Sequence, residues 1–337
     1  MTDAGLLESR LPEGWWAEPV RAAHHPALAA FIDAVPSHGR KFPATAAGVA
    51  DVFAHSVPSH SLVLRDASGD IGGYTVLYEA ADDSSVVNAG AGIGDDAPEG
   101  LAAAAVAALV AGFTESAPSK RSLRVFSTVD PSPLSAALAA AGFGIEASFW
   151  GKRRAVAVTD AALPSVPGIT VLGWAEVEAR GLGELVRQAQ HETFLHHFGE
   201  LSKDEAAWRH HLAGPVFEPR FSFAALAGAD DPVVAGGGVL GGVQVAGYAL
   251  GSNYTDDALG HREVNAHTDY IGVRAPWRRR GIARLLLAHV WHAALEAGLP
   301  AASLGVDTAN EHDAAALYDA LGYRTLHHNA AWSLTVP

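Results

Sequence analysis

Two groups of residues in this 337-residue chain have the types and spacing to do chemistry. The first is the turn Arg278-Arg279-Arg280-Gly281-Ile282-Ala283. Gly281 and Ala283 carry little or no side chain, so an anion can come close to the backbone there. The arginines add charge-assisted hydrogen bonds. The second group is His267 and Asp269, two residues apart on an apolar, β-favouring run that reaches Val273. Strand alternation predicts that they share a face. A neutral imidazole, with a free pKa of about 6.5, removes protons near neutrality. A carboxylate beside it can hold the ring or bind a cationic amine. Glu263, on the approach to the same run, is a further proton acceptor.

Three elements must position these groups. The run ending at Val273 breaks at Pro276, and after the basic turn apolar residues recur at helical spacing through Leu285, Leu286, Val290 and Ala294. The pattern predicts a strand, a tight turn and a helix N-terminus. A helix start leaves backbone N–H groups unpaired and carries partial positive charge, so it favours a bound anion. The physical reading is a pyrophosphate cradle. Downstream, Ala302 to Val306 reads as a strand, Asp307 to Asn310 as its polar exit, and Ala314 to Leu321 as a helix ending at Gly322-Tyr323.

These two pieces, Arg278-x-x-Gly281-x-Ala283 and then Asn310, Leu317-Tyr318 and Leu321-Gly322-Tyr323, resemble in order and spacing the acyl-CoA signature of GCN5-related N-acetyltransferases (GNATs). The resemblance covers about residues 168–337 strongly. It implies acetyl-CoA as acyl donor, bound by Ile271, Gly272, Val273, Arg278, Arg279, Arg280, Gly281, Ile282, Ala283, Arg284, Asn310, Ala315 and Tyr318. Acyl transfer to an amine requires amine deprotonation, oxyanion stabilisation and protonation of the departing thiolate. The resemblance puts the Tyr318 hydroxyl near the sulfur as the acid, and the Val273 N–H at the oxyanion. The base stays open between His267 and Asp269, with Glu263 behind them. The segment His191 to His197 resembles the substrate side of actinobacterial tandem acetyltransferases of the mycothiol synthase type, which implies acceptor contacts from Glu192, Phe194 and His197.

The same order of elements occurs twice. Aligning Ala141-Gly142-Phe143 with Leu321-Gly322-Tyr323 gives an offset of 180, which puts Leu138 at the place of Tyr318 and Asp130 at that of Asn310. The first copy has no arginine between Val86 and Leu101, and carries Gly94-Asp95-Asp96 instead, whose carboxylates repel a pyrophosphate. The expected fold is α/β (α+β): two tandem GNAT domains, each a mixed, mostly antiparallel sheet flanked by helices. Residues 1–160 form a degenerate copy and 161–337 the catalytic one.

Composition bounds the alternatives. The chain has 23 Lys and Arg against 37 Asp and Glu, a net charge of −14, which argues against a broad nucleic-acid surface. With no cysteine, thiol nucleophiles, disulfides and thiolate metal sites are excluded. No apolar run reaches the roughly 18–20 residues of a membrane helix, and no signal pattern opens the chain. A cytoplasmic protein with no membrane partner is expected. His191 and His196 lie five apart, so on a helix about 140° separates them. That spacing rejects a zincin site, and no metal is expected. The expected activity is acetyl transfer to a small-molecule primary amine through a ternary complex, by a monomer or homodimer. The competing readings are a protein or peptide N-acetyltransferase and a non-catalytic acyl-CoA-binding regulator.

Overall fold

The structure is a computed structural model and describes residues 10–35, 44–80, 84–195, 197–199, 202–214, 217–228, 242–256, 259, 261–309 and 314–335. Its described residues form two compact units. The first runs to Phe149 and takes in the stretch from His327 onwards; the second is Trp150–Leu326. The boundary expected at 160 therefore falls inside the second unit, and the end of the chain belongs to the first.

The first unit contains strands β1 (Trp16–Pro19), β2 (Leu62–Arg65), β3 (Ile71–Leu77), β4 (Val86–Ile93) and β5 (Ser122–Thr128). Its helices are α1 (His25–Ala34), α2 (Ala46–Phe53), α3 (Leu101–Ser116) and α4 (Pro133–Ala140). Strand β6 (Gly144–Ala155) begins in this unit and ends in the second. The second unit continues with β7 (Ile169–Gly173), α5 (Trp174–Ala179), α6 (Gly183–Phe194), α7 (Glu205–Ala213), β8 (Phe223–Ala227), β9 (Gln244–Asp256), β10 (Glu263–Val273), α8 (Ile282–Glu296), β11 (Ala301–Asp307) and α9 (Ala314–Ala320). Strand β12 (Arg324–Thr335) starts there and returns to the first unit.

Strand order in the first unit is β1-β2-β3-β4-β5-β12, and in the second β6-β11-β10-β9-β8-β7. Each unit is thus completed by a strand whose counterpart opens or closes the other half. Asn329 to Thr335 pair antiparallel with β5, and Ala330 and Trp332 join the core of Val87, Leu109, Phe113, Leu123 and Leu138. Neither β12 nor α5 is anticipated by the sequence reading. Shifting the strand expected at Glu146 to Gly151 by 180 residues would have found β12. Alanine-rich or short segments such as Ala46–Phe53 and Trp174–Ala179 give little periodic signal.

The 180-residue repeat holds in three dimensions. β4 pairs antiparallel with β3 and parallel with β5, as β10 pairs antiparallel with β9 and parallel with β11. Each central strand leads to a helix whose N-cap is a left-handed glycine: Gly100 at φ 92° before α3 and Gly281 at φ 84° before α8. Only glycine takes this φ without a Cβ penalty. Helix α8 buries Ile282, Leu285, Leu286, Leu287, Val290, Trp291 and Ala294. At about 1.5–3 kcal/mol for each large apolar side chain, that burial fixes the helix start against the sheet.

Candidate active site

All the site residues proposed from sequence that the structure describes lie in the second unit, around the C-terminal end of β10. Asn310 lies outside the described residues. The antiparallel register of β10 with β9 runs Thr268↔Gly251 and then Tyr270↔Leu250, so Asp269 is the extra residue of a β-bulge. Simple alternation stops at the bulge and no longer fixes a common face for His267 and Asp269.

The parallel register of β10 with β11 runs Ala266↔Ala302, His267↔Ser303, Thr268↔Leu304 and then ends. Beyond it, β10 is paired on one side only. The Arg274 N–H donates to Ala246 O at 3.0 Å, so Arg274, Gly272 and Tyr270 bond towards β9. Ladder parity turns the N–H groups of Ile271 and Val273 the other way, to the edge left open by β11. Sequence reasoning singled out Val273 as the oxyanion donor; the ladder gives Ile271 the same orientation.

Past β10 the chain makes a 3-10 turn at Ala275–Trp277 and enters the basic turn. Arg278 Nε donates to Val273 O at 3.0 Å, which ties the turn to the strand end. Arg279 has φ 64°, the one non-glycine in the left-handed region among the described residues. That strain is of order 1 kcal/mol and is held by the bonds on either side. Arg278, Arg279, Gly281 and Arg284 are exposed, and a Cβ at Gly281 would meet only Val166 Cγ2, at 3.8 Å. The turn is therefore open to solvent, positively charged and unobstructed at the helix start. These residues fit the diphosphate of a coenzyme A thioester.

Tyr318 stands on α9, 6% exposed, packed with Leu287, Trp291, Leu304 and Tyr323. Its ring meets that of Tyr323 edge-on at 5.9 Å. Burial raises its pKa to about 12, so the phenol stays protonated at neutral pH. His267 is buried, its Nδ1 2.8 Å from Ser303 Oγ and its ring stacked on Tyr254 at 4.4 Å. Arg153 engages both carboxylate oxygens of Glu263, at 2.7 and 2.6 Å.

The substrate-side residues are drawn into structure. Glu192 on α6 accepts from Arg274 Nε at 2.7 Å, and the Arg274 guanidinium lies 5.5 Å from the Trp277 ring. Arg274 was not singled out from sequence, since one arginine among several beside a turn carries no distinguishing signal. Phe194 is buried and meets Tyr270 edge-on at 5.4 Å, with His197 stacked on it at 4.3 Å. Thr193 Oγ1 and Tyr248 Oη lie 2.8 Å apart beneath Gly272, where a Cβ would come within 2.7 Å of the Tyr248 hydroxyl. Gly272 is required for that close approach. A separate cavity of about 340 Å³, lined by Arg220, Phe223, His289, His292 and Glu296, includes none of the residues above.

The acetyltransferase (GNAT) family model matches residues 185–323, from α6 through the end of α9. Over that segment the chain is similar to GNAT acetyltransferases. This match supports an acetyltransferase enzyme, and the GNAT fold implies an acceptor substrate. A GCN5-related N-acetyltransferase from Sphaerobacter thermophilus superposes with a TM-score of 0.69 at 16% identity, covering 96% of each chain. A tandem GNAT protein from the clavulanic acid biosynthesis pathway gives 0.63 at 14% identity, covering 96% of this chain and 99% of the other. Myristoyl-CoA-bound N-myristoyltransferase from Saccharomyces cerevisiae gives 0.57 at 10% identity, over 96% and 79%. At these identities the likeness is one of fold: two GNAT domains in tandem. No curated protein sequence matches the chain. Among the described residues, no group of three or more His, Asp or Glu could hold a metal ion, and no helix is long and apolar enough to cross a membrane.

Proposed function

We propose that the protein transfers acetyl from acetyl-CoA directly to the primary amine of a small molecule, within a ternary complex at the second unit. The observation that carries this reading is the end of β10: bulged at Asp269, unpaired on one edge beyond Thr268, and followed at once by the open arginine turn. Acetyl-CoA, when bound, supplies the activated acyl group. Arg278, Arg279, Arg280, Arg284 and the first N–H groups of α8 hold its diphosphate. The Val273 N–H stabilises the oxyanion, and the Tyr318 hydroxyl donates its proton to the departing sulfur. His267 removes the amine proton, with Asp269 at the bulge drawing the cationic amine inward. Glu192, held by Arg274, fixes α6 against the strand end, and Phe194 and His197 on that side border the acceptor.

Two differences support confining transfer to the second unit. The first unit has Asp95, Asp96 and Glu99 ahead of α3 where the second has arginines, and Leu138, fully buried, where the second has Tyr318. Incubation with acetyl-CoA and a panel of small amines and lysine peptides, following free thiol, tests the reading. Thiol release dependent on a small amine is expected. Release with peptides alone, or with no acceptor tried, would overturn it.

A further inference from the structure

The His267 imidazole is held by a chain of side chains on one face of β10. Asn265 and His267 are two residues apart ahead of the bulge, so alternation puts them together. Ser303 stands in register with His267 on β11, and Tyr254 in register with Asn265 on β9. His267 Nδ1 lies 2.8 Å from Ser303 Oγ, and the Ser303 hydroxyl donates to Asn265 Oδ1. Tyr254 stacks on the imidazole at an interplanar angle of 20°, which fixes the ring plane. Asn265, Ser303 and His267 are all buried.

With the Asn265 amide oxygen turned to Ser303 and its Nδ2 left without a partner, the direction of this chain determines the tautomer. An amide oxygen only accepts, and a hydroxyl has one proton to give. Ser303 commits that proton to Asn265, so towards His267 its oxygen can only accept. Nδ1 must therefore carry the N–H, and the lone pair of the neutral ring is at Nε2. We infer that Ser303 and Asn265 are positioning residues that hold His267 in the Nδ1–H tautomer, which makes Nε2 the atom that takes the proton from the acceptor amine. This rests on the reading of His267 as the base. The proton leaves the amine nitrogen for Nε2 and the ring becomes imidazolium. The Nδ1–H bond to Ser303 persists in both states and strengthens in the charged one.

The first unit supplies an internal contrast. Shifted by 180 residues, Asn265, His267 and Ser303 become Ser85, Val87 and Leu123, and Val87↔Leu123 stand in the same parallel register as His267↔Ser303. Val87 and Leu123 are buried apolar core residues there. The base and its serine partner are replaced together, in the copy that also lacks the cradle.

The test uses full-length protein labelled with ¹⁵N-histidine. The His267 ring signals are identified by their loss in His267→Gln, and long-range ¹H–¹⁵N spectra show which ring nitrogen bears the proton. The Nδ1–H form is expected in the wild type, a shift towards Nε2–H in Ser303→Ala, and the wild-type pattern in Ser303→Thr. With an active amine, Ser303→Ala should lower kcat/KM by about tenfold to a hundredfold, the size found when a partner orienting a histidine is removed. KM for acetyl-CoA should not change. The acidic limb should move to lower pH, because the lost acceptor stabilised imidazolium more than imidazole, and Ser303→Thr should restore it. An Nε2–H wild type, or an unmoved limb in a folded Ser303→Ala, would overturn the inference. If His267→Gln keeps the wild-type pH profile, the base assignment fails, while the spectra still decide the tautomer.

Discussion

The cradle can be tested at one atom. Gly281 is the left-handed N-cap of α8, at φ 84°, with 3.8 Å between an added Cβ and Val166 Cγ2. Space is therefore available, and the cost of a side chain is backbone strain alone, about 1 kcal/mol. Asn and Asp tolerate this conformation better than other residues, and nearly equally. Gly281→Asn and Gly281→Asp should thus fold alike and differ by one charge at the helix start. At ~5 Å from a phosphate, with an effective dielectric constant of ~20, that charge is worth about 3 kcal/mol of repulsion. This corresponds to more than about a hundredfold in affinity. Thermal melts should show the two variants within a few degrees of each other. Calorimetric titration with acetyl-CoA should show Gly281→Asn binding within about tenfold of wild type and Gly281→Asp about a hundredfold weaker than Gly281→Asn. Added salt should narrow the gap, because the turn is exposed. Equal affinities for the two variants would refute the placement of the diphosphate at this helix start.

Tyr318→Phe should lower kcat by about 10²–10³ with acetyl-CoA affinity nearly unchanged, as expected for loss of a general acid. Because burial raises the phenol pKa to about 12, the protonated form persists below that pH. The ratio of wild-type to variant kcat should then be flat from neutrality to about pH 10; a ratio falling well below that pH would count against the assignment. Replacing Asp95 and Asp96 together with Ala should leave turnover unchanged within about twofold. A large loss in a folded double variant, read by thiol release, would show that the first unit works as a site.

Much of this protein is legible along the chain because its signals are local. The apolar spacing from Leu285 to Ala294, the glycines at 281 and 322, and the order of strands and helices that repeats after 180 residues all depend on neighbouring residues. Helix periodicity and turn chemistry act over a few positions, so they survive in a single sequence. Even the differences between the copies, Leu138 against Tyr318 and aspartates against arginines, need only that register.

The pairings that complete the site join residues far apart in sequence. The bulge at Asp269 exists only in the register of β10 with β9, and the open edge at Ile271 and Val273 only because pairing with β11 stops at Leu304. Glu263 reads as a possible base, and only the fold shows Arg153, 110 positions away, bonded to it. Glu192 reads as an acceptor ligand, and only the fold shows Arg274 bonded to one of its carboxylate oxygens. Ser303, an unremarked residue in an apolar run, gains its role from standing beside His267. The last strand folds into the first unit because Ala330 and Trp332 find their core there. Composition and period determine which elements form; register and burial, which depend on the whole chain at once, decide which polar groups meet and which are left able to react.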